Sequence, residues 1–291
     1  MNDMDRSASL TWLLLNQASG SNDPDRVAVL VDALAAAGRP ASRVVSIPDD
    51  ALPTVAELDA AGVKVLAIFT GDGTVNAAVT ALAGWQGRVL VLPGGTQNLF
   101  AKACHGDLNE LEIVARLGEG GLADLRRPLI RTAHGDALCE VLAGPGAHWS
   151  DVREAMRDLD IGAVASSMST AIGQSATGPQ VAVVDPECGK PEGYPAVRIH
   201  LGDAGTGSCL VIDGYGAEGL GDYAMQGLAL LKRDFREGPH DELGAASAVV
   251  CRSSDPIELM IDGERATGAS EERFELHPCE VVFLGAAGQP L

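Results

Sequence analysis

The chain has 291 residues, 21 lysines and arginines against 40 aspartates and glutamates, and a formal net charge of −19. That balance excludes a nucleic-acid partner, since phosphate backbones are held by basic patches, and it opposes tight electrostatic docking on an anionic membrane. Hydrophobic residues make up 46% and charged residues 21%, the composition of a globular protein, and about 150 residues per domain would divide the chain in two.

No basic segment followed by an apolar core and cleavage site opens the sequence, and no apolar run approaches the ~18 residues of a membrane span; a cytoplasmic protein is expected. Cys104, Cys139, Cys188, Cys209, Cys251 and Cys279 are scattered without paired spacing, which fits free buried thiols better than a disulfide framework or a zinc site.

Met1 to Ser9 is polar and expected to fray. Leu10 to Leu15 reads as a first strand, ending in the turn Asn16-Gln17-Ala18-Ser19-Gly20. Pro24 opens a helix that runs to Ala37, with Val27, Leu30, Val31 and Leu34 on one face and Gly38 as its stop. Arg43 to Ile47 is a second strand. Val63 to Phe69, apolar and β-branched, is a third buried strand, bounded by Gly62 and by Thr70-Gly71-Asp72-Gly73. Asn76 to Ala83 follows as helix. Arg88 to Leu92 repeats the strand signal and runs into Pro93-Gly94-Gly95-Thr96, after which Asn98 to Ala103 is helical again. Leu108 to Leu117 is a further helix, stopped by Gly118-Glu119-Gly120-Gly121. This alternation predicts a doubly wound α/β domain with right-handed crossovers, whose strand-to-helix turns open at one sheet edge.

Two such turns with the same chemistry carry a functional expectation. Glycines let the backbone approach a ligand, and a helix N-terminus behind them adds partial positive charge, which suits a phosphate. Thr74, Asn76, Thr96 and Asn98 add neutral hydrogen-bonding groups. Asp72 adds a carboxylate, which fits an anion site if a metal ion lies between them.

The segments Thr70 to Asn76 (TGDGTVN) and Leu92 to Ala101 (LPGGTQNLFA) resemble the two nucleotide-binding signatures of the diacylglycerol kinase catalytic family, which includes bacterial lipid kinases, sphingosine kinases and ceramide kinases. Thr70 stands where the family usually has Gly. NAD kinases share the first turn but do not resemble the second signature. The turn from Asn16 resembles the segment opening the family's domain, with Gln17 in place of Pro. The resemblance implies that Asn16, Ser46, Thr70, Gly71, Asp72, Gly73, Thr74, Asn76, Gly94, Gly95, Thr96 and Asn98 bind ATP. It implies too that Asp72, with Asp124 in the Ala123-Asp124-Leu125 segment, holds Mg²⁺. Ser46 is the loosest of these matches.

From residue 129 the pattern shifts to short apolar runs between Gly, Pro and Asp: Ala137 to Ala143, Gln180 to Val184, Ala196 to Leu201, Ser208 to Ile212, Ala248 to Cys251, Ile257 to Ile261 and Val281 to Leu284. That spacing predicts a mainly antiparallel β-sandwich, with Asp151 to Leu159 and Tyr223 to Phe235 as helices. The domains expected are 1–128 for the nucleotide and 129–291 for the lipid substrate, with a last strand able to return to the first. Ile261-Asp262-Gly263-Glu264 reads by pattern as a hairpin turn. Its resemblance to the family's late acidic motif implies that Glu264 accepts the proton of the attacking hydroxyl, with Asp72 as the other catalytic residue.

Two segments depart from the family. Gly144-Pro145-Gly146-Ala147-His148 lacks its acidic residue, and the segment that holds a structural magnesium in bacterial members has only Asp203 or Asp213-Gly214 as stand-ins. No Walker lysine is present; Lys102 and Arg265 are the nearest cations. The expected function is ATP-dependent phosphorylation of a diacylglycerol- or sphingoid-like lipid, with transient peripheral membrane contact and a possible homodimer. A nucleotide-binding protein without lipid kinase activity and a kinase of a soluble hydroxyl compound stay open as alternatives.

Overall fold

The structure, a computed structural model, describes residues 10–18, 23–145, 178–203, 207–216 and 240–286. The frayed start and the helices expected at Asp151 to Leu159 and Tyr223 to Phe235 lie outside these residues. The chain divides into two compact units, Met1–Pro128 with Pro278–Leu291, and Leu129–His277.

The first unit is built on strands β1 (Leu10–Asn16), β2 (Ala41–Ile47), β3 (Val63–Thr70) and β4 (Arg88–Pro93), all parallel, in the order β2-β1-β3-β4. Strand β18 (Phe283–Ala286) adds parallel to β4, and β5 (Leu122–Leu125) closes the sheet antiparallel to β18. The helices are α1 (Pro24–Ala36), α2 (Val55–Ala60), α3 (Asp72–Ala81), α4 (Leu99–His105) and α5 (Glu110–Glu119).

Local chemistry sets their ends. The Asp23 carboxylate caps α1 ahead of Pro24, and Gly38 at φ +72° follows its end. Thr54 with Glu57, and Asn109 with Glu112, form capping boxes on α2 and α5. Asn109 is therefore a cap, and α5 starts two residues later than periodicity suggested. Helix α3 starts earlier than expected, at Asp72, because Gly71 is its N-cap. Leu13, Leu15, Val65, Phe69, Leu90 and Leu92 form one buried core with Leu30 and Leu34 of α1 and Ile113 and Val114 of α5. Each such side chain contributes about 1.5–3 kcal/mol of burial.

The second unit holds two sheets of six strands. One runs β10 (Glu187–Cys188), β9 (Ala182–Asp185), β14 (Ala248–Arg252), β17 (Glu271–Pro278), β6 (Pro128–Thr132), β7 (Gly135–Ala137). The other runs β13 (Asp241–Ala246), β12 (Ser208–Tyr215), β11 (Ala196–Asp203), β8 (Glu140–Ala143), β15 (Glu258–Ile261), β16 (Glu264–Thr267). Pairing is antiparallel, and Ile130, Val183, Val249 and Phe274 from the first share a core with Val141, Ile199, Ile212 and Leu259 from the second. This is the expected sandwich. One expected strand, Ala137 to Ala143, is broken into β7 and β8, because the backbone N–H groups of Leu138, Cys139 and Glu140 turn to the carboxylate of Asp262.

Candidate active site

In the first unit Leu15 is level with both Ser46 and Phe69, and Thr70 with Pro93. The carboxyl ends of β1 to β4 thus form one rim, and both glycine turns open on it. The turns touch. A Cβ on Gly95 would fall 2.5 Å from Gly71 Cα, and one on Gly94 would fall 2.6 Å from the backbone of Phe69 and Thr70. Glycine is required here by close approach of two backbones, not by a positive φ.

The two turns offer different things. Gly71 caps α3 without a side chain, and the first helical bond runs from Val75 N–H to the Gly71 carbonyl. The N–H groups of Asp72, Gly73 and Thr74 consequently have no acceptor within the helix, at the positive end of its dipole. In the second turn the Gly94 N–H donates to the Thr70 carbonyl at 3.3 Å. The Gly95 N–H donates to Asn98 Oδ1 at 2.6 Å, and Asn98 Nδ2 returns a bond to the Gly95 carbonyl at 2.9 Å. Asn98, left-handed at φ 54°, therefore laces the turn. The Gly94 and Gly95 N–H groups are thus engaged inside the loop, whereas those of Asp72, Gly73 and Thr74 lack an acceptor within their helix. Thr96, at the tip, is exposed.

Several expected residues do come together. Asp72 Oδ1 accepts from the Phe100 N–H at 3.0 Å and so ties α3 to the first turn of α4. Asn16 Nδ2 donates to Thr74 Oγ1 at 2.8 Å, and its Oδ1 accepts from the Ala18 N–H at 2.9 Å. Thr70 is buried, with its hydroxyl on the Gly71 carbonyl. Ser46 lies on the same rim, its N–H on Asp50 and its hydroxyl 3.4 Å from Gln17 Nε2. Asn76 sits one turn into α3, accepting from Thr80 at 3.3 Å.

Asp124 does not join them. Arg88, the first residue of β4 and so at the strand end opposite Gly94, grips its carboxylate at 2.7 and 3.0 Å. The expected Asp72–Asp124 metal pair is therefore replaced by a surface ion pair at Asp124. Asp213 is likewise no stand-in for a magnesium ligand. It is buried in β12 against Arg198 Nη1 and His200 Nε2, both at 3.3 Å, partners supplied by the protein itself. Burial works against the charge of Asp213, but His200 and Arg198 outweigh it and hold its pKa below the usual carboxylate value. Asp203 ends β11.

Sequence reasoning missed a cation beside the rim. Arg26 of α1 donates through Nη2 to the Pro93 carbonyl at 3.3 Å, and its guanidinium lies 4.8 Å from the centre of the Phe69 ring. Glu110, at the start of α5, holds it at 2.6 and 2.9 Å. Burial opposes the charge on Glu110, yet Arg26 leaves its pKa below the ordinary value. No periodicity marks Arg26. Lys102 and Arg265 are exposed.

In the second unit Ile261 pairs with Glu264 across a two-residue turn, with Asp262 at φ 47° and Gly263 at φ 95°. Positive φ at both centres is the type I′ hairpin expected of Asp-Gly. Glu264 opens β16 and is exposed.

A rim of parallel strand ends, an uncapped helix N-terminus and a glycine turn packed on it are features that suit an anionic group in open α/β folds. Residues 11–125 match the diacylglycerol kinase catalytic domain. This domain match runs from β1 through β5 and includes both glycine turns. Three solved structures of Bacillus anthracis str. Sterne proteins share the fold. One, described as a putative diacylglycerol kinase, is 16% identical, with a TM-score of 0.65 over 99% of both chains. A second, described as a diacylglycerol kinase, is 15% identical, with a TM-score of 0.60 over 98% of this chain and 100% of that one. The third, another putative diacylglycerol kinase, is 17% identical, with a TM-score of 0.59 over 96% and 98%. No curated protein matches the chain. Among the described residues no helix is long and apolar enough to cross a membrane.

Proposed function

We propose that the protein is a kinase of the diacylglycerol kinase type, transferring the γ-phosphoryl group of ATP to a hydroxyl of a diacylglycerol- or sphingoid-like lipid. The observation that carries this is the backbone contact between Gly71 and Gly95, which sets the open N-terminus of α3 beside the second signature turn. The Asp72, Gly73 and Thr74 N–H groups would hold phosphate oxygens, with Asn16 fixing the hydroxyl of Thr74. Oriented N–H groups cost no reorganisation as charge develops on the transferring group.

The donor set suits magnesium as well. Mg²⁺ is usually held by one or two carboxylates together with substrate phosphates. One oxygen of Asp72 is engaged by Phe100, a bond that orients the carboxylate at the rim. Among the described residues no three His, Cys, Asp or Glu side chains gather for a metal, so Asp72 with the phosphates is the site proposed. Bound there, the ion would neutralise phosphate charge. Glu264 is the proposed proton acceptor, on the resemblance of its segment: as the lipid oxygen attacks the γ-phosphorus, its proton passes to the carboxylate and ADP departs.

Calorimetric titration with ATP and Mg²⁺, followed by transfer of labelled γ-phosphate to diacylglycerol and sphingoid bases in mixed micelles, tests the reading. ATP binding with lipid labelling is the expected result. Labelling of a soluble alcohol instead would move the acceptor class, and binding without any transfer would overturn the kinase.

A further inference from the structure

We propose that Asp262 is the positioning residue for Glu264, acting through the backbone of Leu138 to Glu140; the inference rests on Glu264 being the proton acceptor. A type I′ turn asks only for positive φ at its two central residues, which Asp-Gly satisfies with the carboxylate left in water. Asp262 is instead 6% exposed. Its Oδ1 accepts the N–H groups of Cys139 and Glu140, each at 3.0 Å, and its Oδ2 accepts that of Leu138. Its own N–H donates back to the Glu140 carbonyl at 3.1 Å. A carboxylate is costly to bury unless its oxygens are met, and here three consecutive N–H groups meet them.

The sequence gives up regular structure for this contact. The apolar run from Ala137 to Ala143 could pair as one strand, yet it breaks where its amides turn to Asp262. The anchor is itself held. Glu140 receives Arg198 Nε at 2.7 Å, and Arg198 reaches Asp213 at 3.3 Å, all three within the second unit. The turn is thus fixed from two directions, by the carboxylate and by the ladder that sets Ile261 against Val141.

Glu264 needs such support because it has little of its own. It stands on β16, an edge strand, and among the described residues its side chain makes no hydrogen bond or ion pair. Hairpin ends at sheet edges open readily. A general base must be held to within a fraction of an ångström, and misplacement by about 1 Å can cost about 100-fold in rate. Asp262, two residues before Glu264, is a fixed point of the same hairpin.

The experiment compares the unsubstituted protein with Asp262→Ala, Asp262→Asn and Glu264→Gln. Two readouts are taken: steady-state transfer from ATP to dioctanoylglycerol in mixed micelles, and amide hydrogen exchange over Gly263 to Ala266. Asp262→Ala should lower kcat per folded molecule about 100-fold with an unchanged KM for ATP, and should speed exchange at those amides at least tenfold. Asp262→Asn should fall between, because its amide oxygen still accepts from Cys139 and Glu140 but its nitrogen cannot accept from Leu138. If Glu264→Gln turns over normally, the proton-acceptor reading fails. If Glu264→Gln is inactive while Asp262→Ala keeps wild-type kcat, or if exchange over Gly263 to Ala266 is unchanged, the positioning role is overturned. A loss confined to melting temperature, with kcat per folded molecule intact, overturns it equally.

Discussion

Asp72 Oδ1 accepts the Phe100 N–H at 3.0 Å, so a carboxylate in the first turn of α3 caps the first turn of α4. One side chain therefore serves the geometry of both glycine-turn segments, and the chemical role proposed for it rests on the same carboxylate. Asp72→Asn keeps an oxygen that can accept from Phe100 and removes the charge. It should lose phosphoryl transfer at least about 100-fold while melting close to wild type. Asp72→Ala should lose the same activity and about 1 kcal/mol of stability besides, the cost of a missing cap. Parallel assays and urea melts separate the two.

Gly95→Ala places a methyl 2.5 Å from Gly71 Cα, where only backbone can give way. A loss of about 1–3 kcal/mol is expected, the cost of overpacking, together with weaker ATP binding by calorimetry. Gly38→Ala is the control: nothing lies within 4 Å of its added carbon, and its φ of +72° carries only conformational strain. That variant should cost about 1 kcal/mol and leave ATP affinity alone.

The Arg26–Glu110 pair joins α1 to α5 beside Pro93. Arg26→Met leaves Glu110, 7% exposed, without its partner, and should cost about 2 kcal/mol, less than a fully buried pair because Arg26 is partly in water. Since the folded pKa of Glu110 lies below its ordinary value, the pair stabilises above the unfolded pKa. That contribution is lost as pH falls through the lowered folded value. Urea melts of wild type and Glu110→Gln should therefore converge in acid and diverge toward neutrality.

His105 gives a second pH signature of opposite origin. At 1% exposure in α4, burial lowers its pKa to about 4. The unfolded chain takes up a proton near the ordinary histidine pKa of about 6.5, which the folded chain refuses until about pH 4. Stability should thus fall as pH drops from about 6.5 to about 4, by about 2 kcal/mol at pH 5. His105→Phe should flatten that part of the curve in melts at pH 7 and pH 5.

Much of the first unit was legible because β-branched runs, caps and glycines speak with one voice there. Val63 to Phe69 is buried on both faces as its composition demanded, and the recurrence of a strand running into glycines marked both turns. What the letters could not show was direction. Nothing in PGGT says that Gly95 spends its N–H on Asn98, and nothing in ADL says that Asp124 faces Arg88. In the second unit β17 escaped notice because Glu271, Glu272, Arg273, Glu275 and His277 hide its two large apolar residues, Phe274 and Leu276. Its alternation becomes visible only once Glu272 is seen buried against His134 at 2.9 Å. Arg26 was invisible for a similar reason: a single cation on an amphipathic helix has no pattern of its own.

The place of β18 constrains how the molecule comes to exist. Between β4 and β5 lies a strand drawn from residues 283–286, after the whole second unit has been encoded. A ribosome making this chain releases β1 to β5 long before the piece that joins β4 to β5 has been translated, so the first unit waits, its sheet divided, until residues 283–286 have been made. A fragment stopped at Pro128 would stay in that waiting condition. To express the first unit alone, residues 278–286 would have to be spliced on behind Pro128 through a short linker.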